Sequence, residues 1–126
     1  MKILVADDSL TSRHLISKEL RQAGHAVILA EDGASSIAAA KETLPDLILM
    51  NRIMPGASGN QATYALMRID ATKHIPIVIY SISADDETDR VQALRSGAQL
   101  YVDECNLLAT VALYASTNSH LPGYRR

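Results

Sequence analysis

The chain has 126 residues, of which 48% are hydrophobic, and a formal net charge of −2. This length predicts one domain with its own core, and this composition excludes a disordered chain. No basic block is present, so direct nucleic-acid binding is not expected. The single cysteine, Cys105, excludes an internal disulfide and a metal site built from paired cysteines.

Short apolar runs alternate along the chain with longer amphipathic stretches. The predicted strands are Lys2–Ala6, Ala26–Ala30, Asp46–Met50, Ile75–Tyr80 and Gln99–Val102. The predicted helices are Leu10–Ala23, Ala34–Thr43, Asn60–Asp70, Asp86–Ser96 and Leu107–Ser116. The strands are nearly continuous in apolar residues, which is typical of strands buried on both faces of a parallel sheet.

Capping residues support these helix boundaries. Ser9 precedes the first helix as a candidate N-cap, and Gly97 ends the fourth helix. In the first helix, Leu15, Ile16 and Leu20 are predicted to share the buried side.

The five strand–helix alternations predict a single doubly wound α/β domain. The expected sheet is parallel and five-stranded, in the flavodoxin-like order 2-1-3-4-5. The domain is expected to span residues 1–120, with residues 121–126 as a tail or linker stub. The first apolar run, Lys2–Ala6, is too short for a signal peptide or a membrane span, so a cytoplasmic location without membrane association is expected.

Polar residues cluster where the predicted strands end. In open α/β sheets the carboxyl ends of the strands meet at one edge, and functional residues gather there. These positions are Asp7, Asp8, Asn51, Ser81, Tyr101, Asp103 and Glu104. The adjacent carboxylates Asp7 and Asp8 suit Mg²⁺, which prefers oxygen ligands. The alternative is that Asp8 and Ser9 only cap the first helix.

Four motifs resemble the receiver domain of two-component response regulators, in family order and at family spacing. They are ILVADDS at 3–9, PDLILMNRIMPG at 45–56, IPIVIYS at 75–81 and GAQLY at 97–101. The resemblance covers residues from about 2 to 117. It implies a non-enzymatic signalling module of a two-component phosphorelay, with the flavodoxin-like fold already predicted.

The resemblance also implies roles for five residues that keep the family's pattern. Asp7 and Asp8 match the acidic pair that holds Mg²⁺, and the backbone carbonyl of Ile53 matches a further metal ligand. Ser81 matches the switch hydroxyl that contacts the phosphoryl group. Tyr101 matches the aromatic switch that turns inward on activation.

Three positions depart from the family's pattern. Asn51 stands at the phosphoacceptor position, Glu104 at the position of a charge-neutralising lysine, and Cys105 at that of a proline usually joined by a cis bond. The Glu104–Cys105 bond is therefore expected to be trans, because a non-proline cis bond costs about 3–4 kcal/mol. The adjacent Arg52 is a candidate ion-pair partner for Glu104.

These departures predict a pseudo-receiver that is not phosphorylated at Asn51, because a carboxamide is a very poor nucleophile. Mg²⁺ binding is expected to be weak or absent. One alternative is a true phosphoacceptor domain silenced by an engineered Asp-to-Asn change. A less favoured one is a small-molecule binder or hydrolase on this fold, which the glycine-free loop after the first strand argues against.

The resemblance implies a protein partner: a histidine kinase, a phosphotransfer protein or an output domain. It also implies a candidate homodimer surface formed by the fourth helix, fifth strand and fifth helix. The residues expected on this surface are Arg90, Val91, Leu94, Arg95, Val111 and Tyr114.

Overall fold

Five parallel strands form one sheet in the order β2-β1-β3-β4-β5. The computed structural model describes residues 1–117. The strands are β1 (Lys2–Ala6), β2 (Ala26–Ala30), β3 (Leu47–Asn51), β4 (Ile77–Ser81) and β5 (Leu100–Asp103). The helices are α1 (Leu10–Gln22), α2 (Gly33–Thr43), α3 (Gly59–Leu66), α4 (Glu87–Ser96) and α5 (Leu107–Ser116). The predicted fold and strand order are confirmed, while the predicted tail at 121–126 lies outside the described residues.

Several element boundaries differ from the prediction by one or two residues, and the end of the third helix differs by four. The third and fourth strands each end one residue later, so Asn51 and Ser81 are the last residues of β3 and β4. The third helix ends at Leu66 rather than Asp70. There the Thr72 hydroxyl donates to the Leu66 carbonyl at 2.7 Å, which satisfies a carbonyl that a longer helix would have used.

Helices cover both faces of the sheet and enclose two aliphatic cores. The first, between α1, α5 and the sheet, is called the α1/α5 core; it contains Ile3, Val5, Ile16, Leu20, Leu47, Leu49, Val78, Tyr80, Leu107, Val111 and Tyr114. The second, on the opposite face, contains residues of α2, α3 and α4 packed on Leu4, Ala6, Ile48, Met50, Ile77, Ile79 and Tyr101. Within the described chain, no helix is long and apolar enough to cross a membrane.

The buried side of α1 differs from the predicted one. Ile16 and Leu20 are buried, but Leu15 is 56% exposed. Successive helical residues are separated by about 100° around the axis, so Leu15 lies outside the stripe that Ile16, Ser17 and Leu20 form. Ser9 caps the helix as predicted, because its side chain accepts the N–H of Ser12.

The predicted homodimer surface also needs correction. Val111 and Tyr114 are only 2% and 3% exposed, because they pack into the α1/α5 core and not on the outside of α5. Val91 and Leu94 remain exposed on α4. The apolar part of that surface is therefore smaller than the sequence suggested.

The assignment of the α1 face can be tested with two adjacent substitutions. Ile16→Ala is expected to lower the free energy of unfolding by about 2–5 kcal/mol, because it leaves a cavity in the core. Leu15→Ala is the matched control and is expected to change it by no more than about 0.5 kcal/mol. Urea unfolding followed by circular dichroism measures both. Equal losses in the two variants would show that the face is assigned wrongly.

Candidate functional site at the carboxyl edge of the sheet

Three polar side chains continue the rows of aliphatic residues that face α1 and α5. Side chains alternate between the two faces of a strand, so every second residue shares a face. Along β1, Ile3 and Val5 share a face with Asp7, which follows the strand. Along β3, Leu47 and Leu49 share a face with Asn51. Along β4, Val78 shares a face with Tyr80. Because β1 pairs with β3 and β3 with β4 in fixed register, these side chains meet at the end of one core.

Asp7 is fully buried, and both of its carboxylate oxygens accept hydrogen bonds. Oδ1 accepts from the backbone N–H of Ser9 at 2.9 Å and from Nδ2 of Asn51 at 3.2 Å. Oδ2 accepts from the hydroxyl of Tyr80 at 2.7 Å. A buried carboxylate is tolerated only when such donors replace its water shell, and Asp7 has three of them.

Asn51 bridges the two adjacent carboxylates. Its Nδ2 lies 3.2 Å from Oδ1 of Asp7 and 3.5 Å from Oδ1 of Asp8. The opposite amide orientation would place Oδ1 of Asn51 against two carboxylate oxygens, so the hydrogen-bond network requires the nitrogen to face them. Asn51 therefore contributes donors, and no nucleophile, to the centre of the site.

Tyr80 belongs to this site although the sequence analysis did not single it out. Its ring is buried in the α1/α5 core and its hydroxyl points to Asp7. Burial and, after it, the hydrogen bond to Asp7 raise the pKa of Tyr80, so the hydroxyl stays a proton donor. The available signal was a phenol at the end of a fully buried strand, since a buried Tyr hydroxyl usually finds a partner.

Glycine is required where α3 begins, directly behind Asn51. A Cβ atom at Gly59 would overlap the carbonyl oxygen of Asn51 and crowd the Cα of Arg52. The N–H of Gly59 donates to the carbonyl of Arg52 at 2.8 Å. This close approach fixes the end of β3 and, with it, the position of the Asn51 side chain.

Glu104 lies at the rim of the site, where β5 passes into a short 3-10 helix, Glu104–Asn106. Its Oε2 is 3.5 Å from the hydroxyl of Ser12 on α1. Arg52 does not neutralise it, because the Arg52 guanidinium pairs with Asp89 of α4 at 3.5 Å. Cys105 is exposed, and the Glu104–Cys105 peptide bond is trans, as the sequence predicted.

Ser81 and Tyr101 form a separate pair on the opposite face of the sheet. Their hydroxyl oxygens are 2.9 Å apart and both residues are buried. The single hydroxyl proton of Ser81 is donated to the carbonyl of Ser83 at 2.5 Å, so Tyr101 is the donor to Ser81. The Tyr101 ring is thus held inward against the end of β4.

Arg90 of α4 contacts the Tyr101 residue of this pair. Its guanidinium carbon is 5.9 Å from the centre of the Tyr101 ring, and Nη1 donates to the Tyr101 carbonyl at 3.3 Å. At β5, Asp103 accepts the backbone N–H of Ala84 and ties the β4–α4 loop to the strand. The loop that follows Ser81 is therefore attached to both α4 and β5, since Arg90 also donates to the Ala84 carbonyl at 3.5 Å.

The donors around Asp7 do not fit a tight divalent-cation site. Nδ2 of Asn51 faces the two carboxylates, where a cation would need to bind. Among residues 1–117, no group of three His, Cys, Asp or Glu side chains is arranged to hold a metal ion. Ile53, whose backbone carbonyl was predicted as a further metal ligand, lies two residues beyond the end of β3.

Both the sequence and the fold are similar to those of known proteins. The family model for the response regulator receiver domain matches residues 3–106. The chain belongs to the response regulator receiver domain family. Protein PilH of Pseudomonas aeruginosa is 40% identical over 114 residues, which cover 87% of this chain and 93% of PilH.

Solved receiver structures share the fold. The chemotaxis protein CheY4 of Vibrio cholerae superposes with a TM-score of 0.81 at 27% identity, covering 89% of this chain and 96% of that chain. The receiver domain of a sensor histidine kinase from P. aeruginosa, whose structure has a magnesium ion coordinated in its active-site cleft, superposes with a TM-score of 0.80. It is 24% identical, covering 91% of this chain and 97% of its own, so this likeness concerns the fold alone. Receiver domains act in two-component signalling with histidine kinases and output domains.

The hydrogen bonds of the Ser81–Tyr101 pair are expected to stabilise the folded domain. Ser81→Ala leaves the buried Tyr101 hydroxyl and the Ser83 carbonyl without their partner, so the free energy of unfolding is expected to fall by about 1–3 kcal/mol. Ser83→Ala is the control, because its hydroxyl binds only the exposed Asp85, and a change within about 0.5 kcal/mol is expected. Urea denaturation measures the difference, and similar values for both variants would contradict the described pairing.

Proposed function

We propose that this receiver domain signals through protein–protein contacts without phosphorylation at Asn51. The observation that carries this proposal is the Asn51 amide, which ends β3 and donates to both Asp7 and Asp8. A phosphoacceptor needs a carboxylate oxygen that can attack phosphorus and form an acyl phosphate. A neutral carboxamide at this position cannot supply that nucleophile.

The charges around Asn51 also oppose phosphoryl transfer. Transfer requires positive charge at the developing phosphoryl oxygens. Glu104 brings a carboxylate to the rim of the site, and Arg52 is paired with Asp89. Arg13 donates to the backbone carbonyl of Asp7 at 2.7 Å and not to a carboxylate. No cation among these is directed at the space in front of Asn51.

The Ser81–Tyr101 pair supports a state that does not depend on a phosphoryl group. The Ser81 hydroxyl, proposed as the switch hydroxyl, is already occupied by Ser83 and Tyr101. The Tyr101 ring is already inward and only 2% exposed. A switch between two states requires a ligand that binds one of them better. Here that ligand is a protein partner that contacts the α4–β5 region.

Exposed apolar side chains around the site support such a partner. Leu10, Ile53 and Ile82 follow β1, β3 and β4, and they are 73%, 63% and 90% exposed. All three therefore lie at the carboxyl edge of the sheet, and exposed apolar residues that group on one part of a surface favour protein contact there. A histidine kinase, a phosphotransfer protein or an output domain is the proposed partner, in the cytoplasm and without membrane or nucleic-acid contact.

The proposal can be tested by intact mass after incubation with acetyl phosphate and Mg²⁺. The chain itself and Asn51→Asp are both expected to gain no phosphoryl group, because Glu104 still opposes the transferred charge. The double variant Asn51→Asp/Glu104→Lys restores both the nucleophile and the cation, and it is expected to gain one.

Asn51→Gln/Glu104→Lys is the matched control, since it restores the cation alone and should stay unmodified. Full phosphorylation of Asn51→Asp by itself would favour the alternative, a working phosphoacceptor domain silenced at a single position. Phosphorylation of the unchanged chain at this site would refute the proposal outright.

A further inference from the structure

Asp7, Asp8 and Asn51 form what is called here the acidic cleft. Hydrogen-bond donors of the protein itself compensate the negative charge of this cleft. Asp7 receives three hydrogen bonds, and two of them come from side chains on opposite sides of its carboxylate. Asn51 approaches Oδ1 from the open side of the cleft, whereas Tyr80 approaches Oδ2 from the α1/α5 core. Adjacent carboxylates in other proteins commonly obtain this compensation from a bound cation.

We propose that Asn51 and Tyr80 together replace a divalent cation, so that the cleft stays assembled without Mg²⁺ and Tyr80 acts as the positioning residue for Asp7. The inference rests on the proposed function, in which no phosphoryl group requires a metal at this site. It concerns the free energy and geometry of the cleft and not a reaction.

The Asn51 amide lies between the two carboxylates. Its nitrogen is within 3.2 Å of Asp7 and 3.5 Å of Asp8, so its two amide protons bridge the oxygens that a cation would have to bridge. A cation entering there would have to displace these hydrogen bonds and then lie beside an N–H donor. The amide therefore competes directly with metal binding.

The Tyr80 hydroxyl compensates the other carboxylate oxygen of Asp7. It lies 2.7 Å from Oδ2 of Asp7, both residues are fully buried, and water does not reach this oxygen. Hydrogen bonds to an ionised group are stronger than those between neutral groups. Tyr80 therefore offsets negative charge that Asp7 would otherwise share with a metal, and it lowers the attraction of the cleft for cations.

The hydrogen bond from Tyr80 could also act in the opposite direction, by orienting Asp7 for metal binding. Donors behind a metal-binding carboxylate often orient it, and their removal then weakens metal binding. In this site the backbone N–H of Ser9 still holds Oδ1 of Asp7 at 2.9 Å when the Tyr80 hydroxyl is removed. The substitution Tyr80→Phe would keep the ring packed in the α1/α5 core. Mg²⁺ affinity is therefore expected to rise, because the loss of charge compensation at Asp7 outweighs the loss of one orienting contact.

The test compares Mg²⁺ dependence in the full chain, Tyr80→Phe and Val78→Ala. Val78 is fully buried in the same core and the same strand as Tyr80, but it has no polar contact to the cleft. The urea midpoint of the full chain and of Val78→Ala should not change with millimolar Mg²⁺. The midpoint of Tyr80→Phe should rise with Mg²⁺, and its calorimetric Mg²⁺ affinity should be about tenfold higher than that of the full chain.

A second variant covers the case in which Tyr80→Phe does not fold. Asn51→Ala removes the donor on the open side of the cleft, and its midpoint should also become Mg²⁺-dependent. The proposal is wrong if the full chain responds to Mg²⁺ as strongly as Tyr80→Phe and Asn51→Ala do, or if either of these two variants folds and does not respond. Every chain in this test lacks the phosphoacceptor carboxylate, so its outcome is separate from the mass measurement that tests the proposed function.

Discussion

The fixed parallel register of β1, β3 and β4 is the constraint on which the rest of the structure depends. Because side chains alternate strictly along a strand, register decides which polar residues meet at the carboxyl edge. Asp7, Asn51 and Tyr80 end rows that face α1 and α5, whereas Ser81 and Tyr101 end rows that face the opposite side. A shift of one residue in one strand would mix these two groups. The sheet thus separates the acidic cleft from the Ser81–Tyr101 hydroxyl pair.

Electrostatics then decides what the acidic cleft can do. Buried Asp7 requires donors, and the chain supplies amide, hydroxyl and backbone groups. The nearby guanidinium of Arg52 is directed to Asp89 on α4, and Glu104 adds negative charge at the rim. These contacts give the domain the fold of its family with a hydrogen-bonded cleft, which explains how an assembled site coexists with the proposed absence of phosphorylation.

The Ser81–Tyr101 pair is connected to the surface through hydrogen bonds. Tyr101 donates to Ser81, Arg90 holds the Tyr101 carbonyl, and Asp103 holds the loop after β4. The exposed residues Ile82 and Val91 are next in sequence to Ser81 and Arg90, and exposed Leu94 lies about one helical turn beyond Arg90. A partner that binds Ile82 or Val91 would therefore contact residues next in sequence to members of this hydrogen-bonded network, which is a short physical path between surface and site.

Sequence alone determined the fold class, the strand order and nearly all element boundaries to within two residues, because near-continuous apolar strands and capped helices are local patterns. It also placed Asp7, Asp8, Asn51, Ser81 and Tyr101 at one edge of the sheet. It misplaced Leu15, Val111 and Tyr114, since the exposure of a helical residue depends on how its helix rotates against the sheet. Only the tertiary structure decided that Tyr80 binds Asp7 and that Arg52 pairs with Asp89. Both contacts join segments distant in sequence, and their geometry depends on side-chain directions that no local pattern encodes.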